Sequence, residues 1–275
     1  MPQRTNTSYL RNEQYQDATN LSARIQLHQR FSTNHANWFR WVFDHFGHLG
    51  AGNILELGCG PGMLWQQNLD RIPPASHIYL SDFSVGMLRE AHANTHAAAT
   101  NLNFIAIDAQ AIPFPSSRFD LVIANHMLYH VPDRPSAIQE IHRVLKPGGK
   151  FVAATNGQNH MAEIHALYSH LDHSLADHFD YAFGVSEFTL ENGAAQLATM
   201  FADIHTILFP GGLEVTEVEP LISYLHSMIT EPVDKTNLQN WDEIHQIIDH
   251  EILCNGSFNI SKSTGLFIAE KSTLP

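Results

Sequence analysis

A chain of 275 residues with 28 acidic and 15 basic side chains carries a formal net charge of −13, and its hydrophobic fraction of 44% is enough for a packed core. With no Lys/Arg cluster to read phosphates, the composition argues against a nucleic-acid substrate and disfavours an anionic membrane surface. No apolar run approaches the roughly 20 residues of a membrane span, Met1–Asn12 is polar with no signal core, and Cys59 and Cys254 give no disulfide framework, so a reducing cytoplasm is the expected compartment.

The first 20 residues are polar. From Asn20 to Phe46 the apolar positions take helical spacing, first Leu21, Ile25 and Phe31, then Trp38, Trp41, Val42 and Phe46, until Gly47, Gly50 and Gly52 end the region. A strand–helix alternation follows. Asn53–Leu57 predicts a buried strand, Gly58–Gly62 a glycine loop and Met63–Leu69 a helix. His77–Leu80 is the second strand, with a helix over Val85–Ala93, and Asn103–Ile107 and Phe119–Ala124 are the third and fourth. A helix over Ala137–Leu145, closed by Lys146-Pro-Gly-Gly149, leads to a fifth strand at Phe151–Ala154. Short apolar runs alternating with helices predict a parallel sheet covered on both faces. Residues 157–200 break the rhythm with helices rich in His, Asp and Tyr, ending in the cap-like Thr189-Leu-Glu-Asn192. Ile204–Phe209 predicts a sixth strand, Val218–Met228 and Trp241–Leu253 predict helices, and Ser257–Ser261 and Leu266–Ala269 predict two strands joined through Ser263-Thr264-Gly265.

Chemistry concentrates in Glu56-Leu-Gly58-Cys59-Gly60-Pro-Gly62, between the first strand and a helix. Glycines there allow close backbone approach, and the helix start offers free N–H groups. A dinucleotide fingerprint would need glycine at position 63, which is Met63, and a Walker loop would need Gly-Lys-Ser/Thr, which is absent. What remains is E-x-G-x-G-x-G. An acid so near the turn would repel a pyrophosphate and suits a ligand with a positive end, such as the amino group and sulfonium of S-adenosylmethionine. The 19 histidines are scattered with no zinc spacing. His126 and His130 stand at H-x-x-x-H spacing without the metalloprotease glutamate, so no metal site is expected.

The glycine segment resembles motif I of the class I S-adenosylmethionine-dependent methyltransferases. Phe119–Val131 with His130-Val-Pro-Asp133, and Arg143–Gly149, resemble the branch that includes ubiquinone/menaquinone C-methyltransferases and many natural-product methyltransferases. The resemblance covers 50–156 strongly and 200–275 more weakly. It implies a Rossmann-like, doubly wound, mostly parallel seven-stranded sheet with an antiparallel C-terminal strand. It also implies a division into an N-terminal helical cover (1–49), a donor-binding core (50–156), a helical acceptor lid (157–200) and a completion of the sheet (201–275). The expected function is methylation of an O, N or C atom of a small molecule, with S-adenosylmethionine as donor and S-adenosylhomocysteine as product.

Further donor contacts follow along the chain. Asp82 ends the second strand, where its two oxygens suit both ribose hydroxyls, and Phe83 and Met87 offer apolar surface to adenine. A helix N-cap is the structural alternative for Asp82. In Asp108-Ala109-Gln110, the resemblance implies a bond from Asp108 to the adenine amino group, helped by the backbone of Ala109. Asn125 and His126 cap the fourth strand, where doubly wound folds bind ligands, and should face the reacting methyl. His126 is the candidate general base. His130, at the start of the next helix, orders the loop or touches donor. Arg24, His28 and Phe31 share a helix face with Tyr15 upstream. Related enzymes lay such a segment over the donor, so Arg24 is a partner for the methionine carboxylate, Tyr15 closes the pocket, and 1–30 reads as a cover ahead of a fold that begins near Trp38. Trp38, Phe39, Trp41 and Phe43 read as packing on the sheet, and Tyr168, His165, Tyr181 and Phe183 as lid lining. Three rivals stay open: an NAD(P) oxidoreductase, a donor-binding protein without transfer, and carboxymethyl transfer, which needs a further cation for which Arg24 is the candidate.

Overall fold

The computed structural model describes residues 19–47, 50–95, 101–171, 187–228 and 241–273, with side chains in the first helix from Arg24 and in the helix ending at 171 up to Leu167. At its centre a seven-stranded sheet runs in the order β3-β2-β1-β4-β5-β9-β6. The strands are β1 (Asn53–Leu57), β2 (His77–Asp82), β3 (Leu102–Ala106), β4 (Phe119–Asn125), β5 (Leu145–Asn156), β6 (Asp203–Leu208) and β9 (Thr264–Glu270). β1 to β5 pair in parallel, whereas β9 runs antiparallel to both β5 and β6. The expected mostly parallel sheet with one antiparallel C-terminal strand is therefore present. β1 lies between β2 and β4, so the strand order reverses there, and such a reversal opens a crevice beyond the strands' carboxyl ends.

Alternating side chains divide two cores between the sheet's faces. Leu55, Leu57, Val122, Ala124, Phe151 and Ala153 point to one face and meet α5 (Arg134–Val144) through Ile138 and Ile141. Ile54, Ile78, Leu80, Leu121 and Ile123 point to the other, against α2 (Trp38–Asp44), α3 (Met63–Gln66) and α4 (Val85–Thr95). α5 begins at Asp133, whose carboxylate accepts from the Ser136 N–H at 3.1 Å, with Pro135 in the first turn. It ends at Val144, before Lys146-Pro147. The residue before a proline is pushed towards extended backbone. The Lys146–Gly149 stretch, expected as a helix stop, thus already belongs to β5, with a register shift opposite Phe119–Leu121.

A third core lies outside the sheet. It joins α1 (Thr19–Phe31), α6 (Ala162–Leu171), α8 (Val218–Met228) and α9 (Trp241–Asn255) to a ribbon of β7 (Gly212–Val215) and β8 (Phe258–Ser261). The two C-terminal strands are present, β8 pairing with β7 in the separate ribbon and β9 entering the main sheet. One expectation is corrected here. The fold does not begin near Trp38, because Leu27 is 1% exposed and Phe31 8%, both in this third core. Of residues 201–275, β6 and β9 complete the sheet, while 212–228 and 241–261 contribute to the third core. Among the described residues no helix is long and apolar enough to cross a membrane.

Candidate active site

The glycine turn follows from its backbone. Gly58, Gly60 and Gly62 have φ of +67°, +52° and +77°, a region glycine enters without strain. A Cβ on Gly58 would stand 2.7 Å from Cβ of Met127, and one on Gly62 3.1 Å from Cβ of Ala91. Gly58 therefore lets β1 and the β4 exit approach closely, and Gly62 seats the turn on α4. Buried Cys59 donates its N–H to the Ser81 carbonyl (2.8 Å), which fixes the turn to β2, and its thiol is pushed well up by burial and by Glu56.

Two acids flank the turn. Asp82, the last residue of β2, accepts from the Gly60 N–H at 2.9 Å and from the Ser84 N–H at 2.8 Å. Burial raises its carboxyl, and those backbone bonds oppose the rise. The helix cap is Ser84, whose hydroxyl accepts from the Met87 N–H at 3.3 Å, so Asp82 is not the N-cap. The Phe83 N–H adds a third backbone bond, and since a carboxylate offers about four lone-pair positions, acceptor capacity remains. Glu56 is 2% exposed and accepts from the Trp65 indole N–H at 2.7 Å. Burial pushes its carboxyl up to about 8 against the Trp65 hydrogen bond, with Asp82 adding repulsion.

Beyond the carboxyl edge, Asp108 accepts from the Gln110 backbone N–H at 2.9 Å and from its side-chain amide at 2.9 and 3.1 Å. The Gln110 carbonyl in turn accepts from the Asp133 N–H at 3.0 Å, so Gln110 ties the β3 exit to the start of α5. Ala109 is buried. Phe83 is 37% exposed beside this loop sequence, whereas Met87 is 1% exposed and faces inward. At the end of β4 the Asn125 amide is buried; its nitrogen faces the Glu56 carboxyl and works to lower it, while its oxygen has no hydrogen-bond partner among the described residues. His126 holds φ +52°, a region a non-glycine residue enters only when its surroundings demand it, and its N–H donates to the Ala154 carbonyl at 3.0 Å. His130 lies in a 3-10 turn over Leu128–His130 instead of opening the next helix, which starts at Arg134.

The N-terminal residues take other places. Arg24 donates to the Ser227 carbonyl at 2.7 Å and faces the Ser227 hydroxyl at 3.3 Å, which binds α1 to α8. His28 stacks on His160 (ring centroids 6.4 Å) and meets Tyr224 edge-on (6.3 Å). Tyr15, Tyr181, Phe183 and the side chain of Tyr168 lie outside the described residues, and His165 sits half-buried on α6.

Around His126 the structure gathers residues that sequence reasoning passed over. Trp38, read as sheet packing, lies 5.3 Å from the His126 ring and 5.2 Å from Phe209, and Lys262 Nζ sits 5.6 Å from the Phe209 centroid. His160 follows β5, a position that the carboxyl-edge rule alone would have flagged. Lys262 was hidden because β9 runs antiparallel, so the residues before it, and not after it, reach that edge. Among the described residues no group of three or more His, Cys, Asp or Glu side chains is arranged to hold a metal.

This arrangement defines a class: a Rossmann-like sheet with an acid-flanked glycine turn at its switch point. Residues 55–153 match the methyltransferase domain family. The chain is 30% identical over 120 residues to the ubiquinone/menaquinone biosynthesis C-methyltransferase of Hahella chejuensis (43% of this chain, 48% of that one). It is 36% identical over 120 residues to the demethylmenaquinone methyltransferase of Lactococcus lactis (43% and 47%). The matched stretch thus spans about half the length of these relatives. Among solved structures, phosphoethanolamine N-methyltransferase 2 of Haemonchus contortus, in complex with S-adenosyl-L-methionine, superimposes with a TM-score of 0.61 at 21% identity, covering 96% of this chain and 59% of that one.

Proposed function

We propose that the chain is a small-molecule methyltransferase that uses S-adenosylmethionine. The observation that carries this reading is the crevice where β1, β2 and β4 end. It holds a positive-φ glycine turn, two buried acids and, in Asn125, a buried amide oxygen without a partner among the described residues. Buried polar atoms cost free energy unless a partner satisfies them, so Asn125 is poised for a ligand. The two acids of the crevice fit a cationic ligand, which favours their ionised forms, better than a pyrophosphate, and the activities of the relatives support the same reading.

When bound, S-adenosylmethionine supplies an electrophilic methyl group on a sulfonium. In this reading Glu56, the backbone from Gly58 through Cys59 and Gly60 to Gly62, and Asn125 hold the cationic end. Asp82 takes the ribose hydroxyls, Phe83 covers the adenine, with Met87 buried behind, and Asp108 and Ala109 read the adenine edge, braced by Gln110. His130 orders the loop beside them. The protein's contribution to rate is to hold the acceptor atom in line at near-attack distance. His126 is held to about 4 by burial and by Lys262, so it is neutral at neutral pH and free to accept a hydrogen bond from an acceptor X–H.

Calorimetry tests this. S-adenosylhomocysteine should bind one-to-one, NADH should not, and Asp82→Asn should weaken binding by about one to two orders of magnitude, the worth of a charged hydrogen bond. NADH binding in preference, or an unchanged constant for Asp82→Asn, contradicts the assignment.

A further inference from the structure

We propose that the methyl acceptor carries a carboxylate, held by Lys262 with His28 and His160 beside it, between the carboxyl edge of the sheet and the third core. The inference rests on the donor reading above and names the substrate class of the same site.

Four basic side chains from four separate elements converge here: His28 from α1, His126 from the end of β4, His160 from the segment after β5, and Lys262 from the link between β8 and β9. Lys262 is half-buried, and among the described residues it makes no ion pair. Its Nζ lies over the face of Phe209. Among the described residues, the charged groups that act on the three imidazoles are one another and Lys262. A partly buried ammonium without a counter-charge is costly, and a site that keeps one is completed by an anion.

The hydrogen-bonding capacity points the same way. His160 Nδ1 accepts from the Ser263 N–H at 3.1 Å, which leaves the ring proton on Nε2 as a donor. Nδ1 of His28 is buried with no partner among the described residues. The rings of His28 and His160 stack at 6.4 Å between centroids.

Charge decides which anion fits. Burial and the neighbouring Lys262 hold His28 at about 3 and His126 at about 4, and His160 well below the usual histidine range. At neutral pH the cluster therefore carries one positive charge, that of Lys262, which matches a monoanion. A phosphate dianion would leave a negative charge uncompensated. Trp38 and Phe209, edge-to-face at 5.2 Å, supply aromatic surface next to the charge, so an aromatic acid is a suitable probe.

The test titrates benzoate, benzamide and phenyl phosphate into the protein saturated with S-adenosylhomocysteine. Benzoate should bind at least about tenfold more tightly than either of the others. Lys262→Met should weaken benzoate by about tenfold or more, while Lys262→Arg retains most of the affinity, as expected for a charge-assisted contact. Affinity of each variant for S-adenosylhomocysteine, measured first, reports that the donor site is folded and separates failure of the donor reading from failure of this one. Equal binding of benzoate and benzamide, preference for phenyl phosphate, no benzoate binding, or benzoate affinity unchanged in Lys262→Met overturns the proposal.

Discussion

The carboxyl of Glu56, pushed up to about 8, is largely protonated in the free protein at neutral pH. A cationic ligand beside it favours the ionised form and lowers that value. Binding of S-adenosylmethionine should therefore release part of a proton at pH 7, and affinity should climb as pH rises and level off above about 8. Calorimetry in two buffers of different ionisation enthalpy measures the release. Glu56→Gln should abolish it and flatten the pH dependence, whereas a wild-type protein that releases no proton contradicts this role for Glu56. At this scale the sequence was informative where identity and strand position coincide. Glu56, Asp82 and Asp108 announce themselves at strand ends. Their partners Trp65, Ser84 and the Gly60 N–H follow from three-dimensional approach and leave no local signal.

Among the elements, α1 was legible as a helix but not as a structural member. Its buried residues, Leu27 and Phe31, meet partners from 161–167 and from 213–260, and no periodicity reports a contact across such separations. Arg24 illustrates the consequence. Its two bonds to Ser227 staple α1 to α8, so Arg24→Ala should destabilise the fold by roughly 1–3 kcal/mol, about 2–4 °C of melting temperature per kcal/mol. Affinity for S-adenosylhomocysteine should stay unchanged. Thermal unfolding read together with calorimetry checks this, and weaker donor binding at unaltered stability would instead put Arg24 in the donor site. β7 was missed for a related reason. Its pattern, with Leu213 and Val215 buried and Glu214 exposed, is four residues long and finds its partner only after two intervening helices.

At the scale of the molecule, two cores built on alternating strand faces hold the donor crevice open at one edge, and the third core, drawn from both ends of the chain, packs beside that edge. The sheet could be read from short apolar runs because a parallel sheet buries both faces. The third core could not, since it forms only when α1, α6, α8 and α9 meet. The central claim is that donor recognition is concentrated at the carboxyl ends of β1 to β4. The most direct test is amide hydrogen exchange with and without S-adenosylhomocysteine. Protection should appear over residues 56–62, 82–84 and 108–110 and be absent from the surface ribbon at 212–215. Protection that avoids these three segments, or none at saturating ligand, would contradict the account.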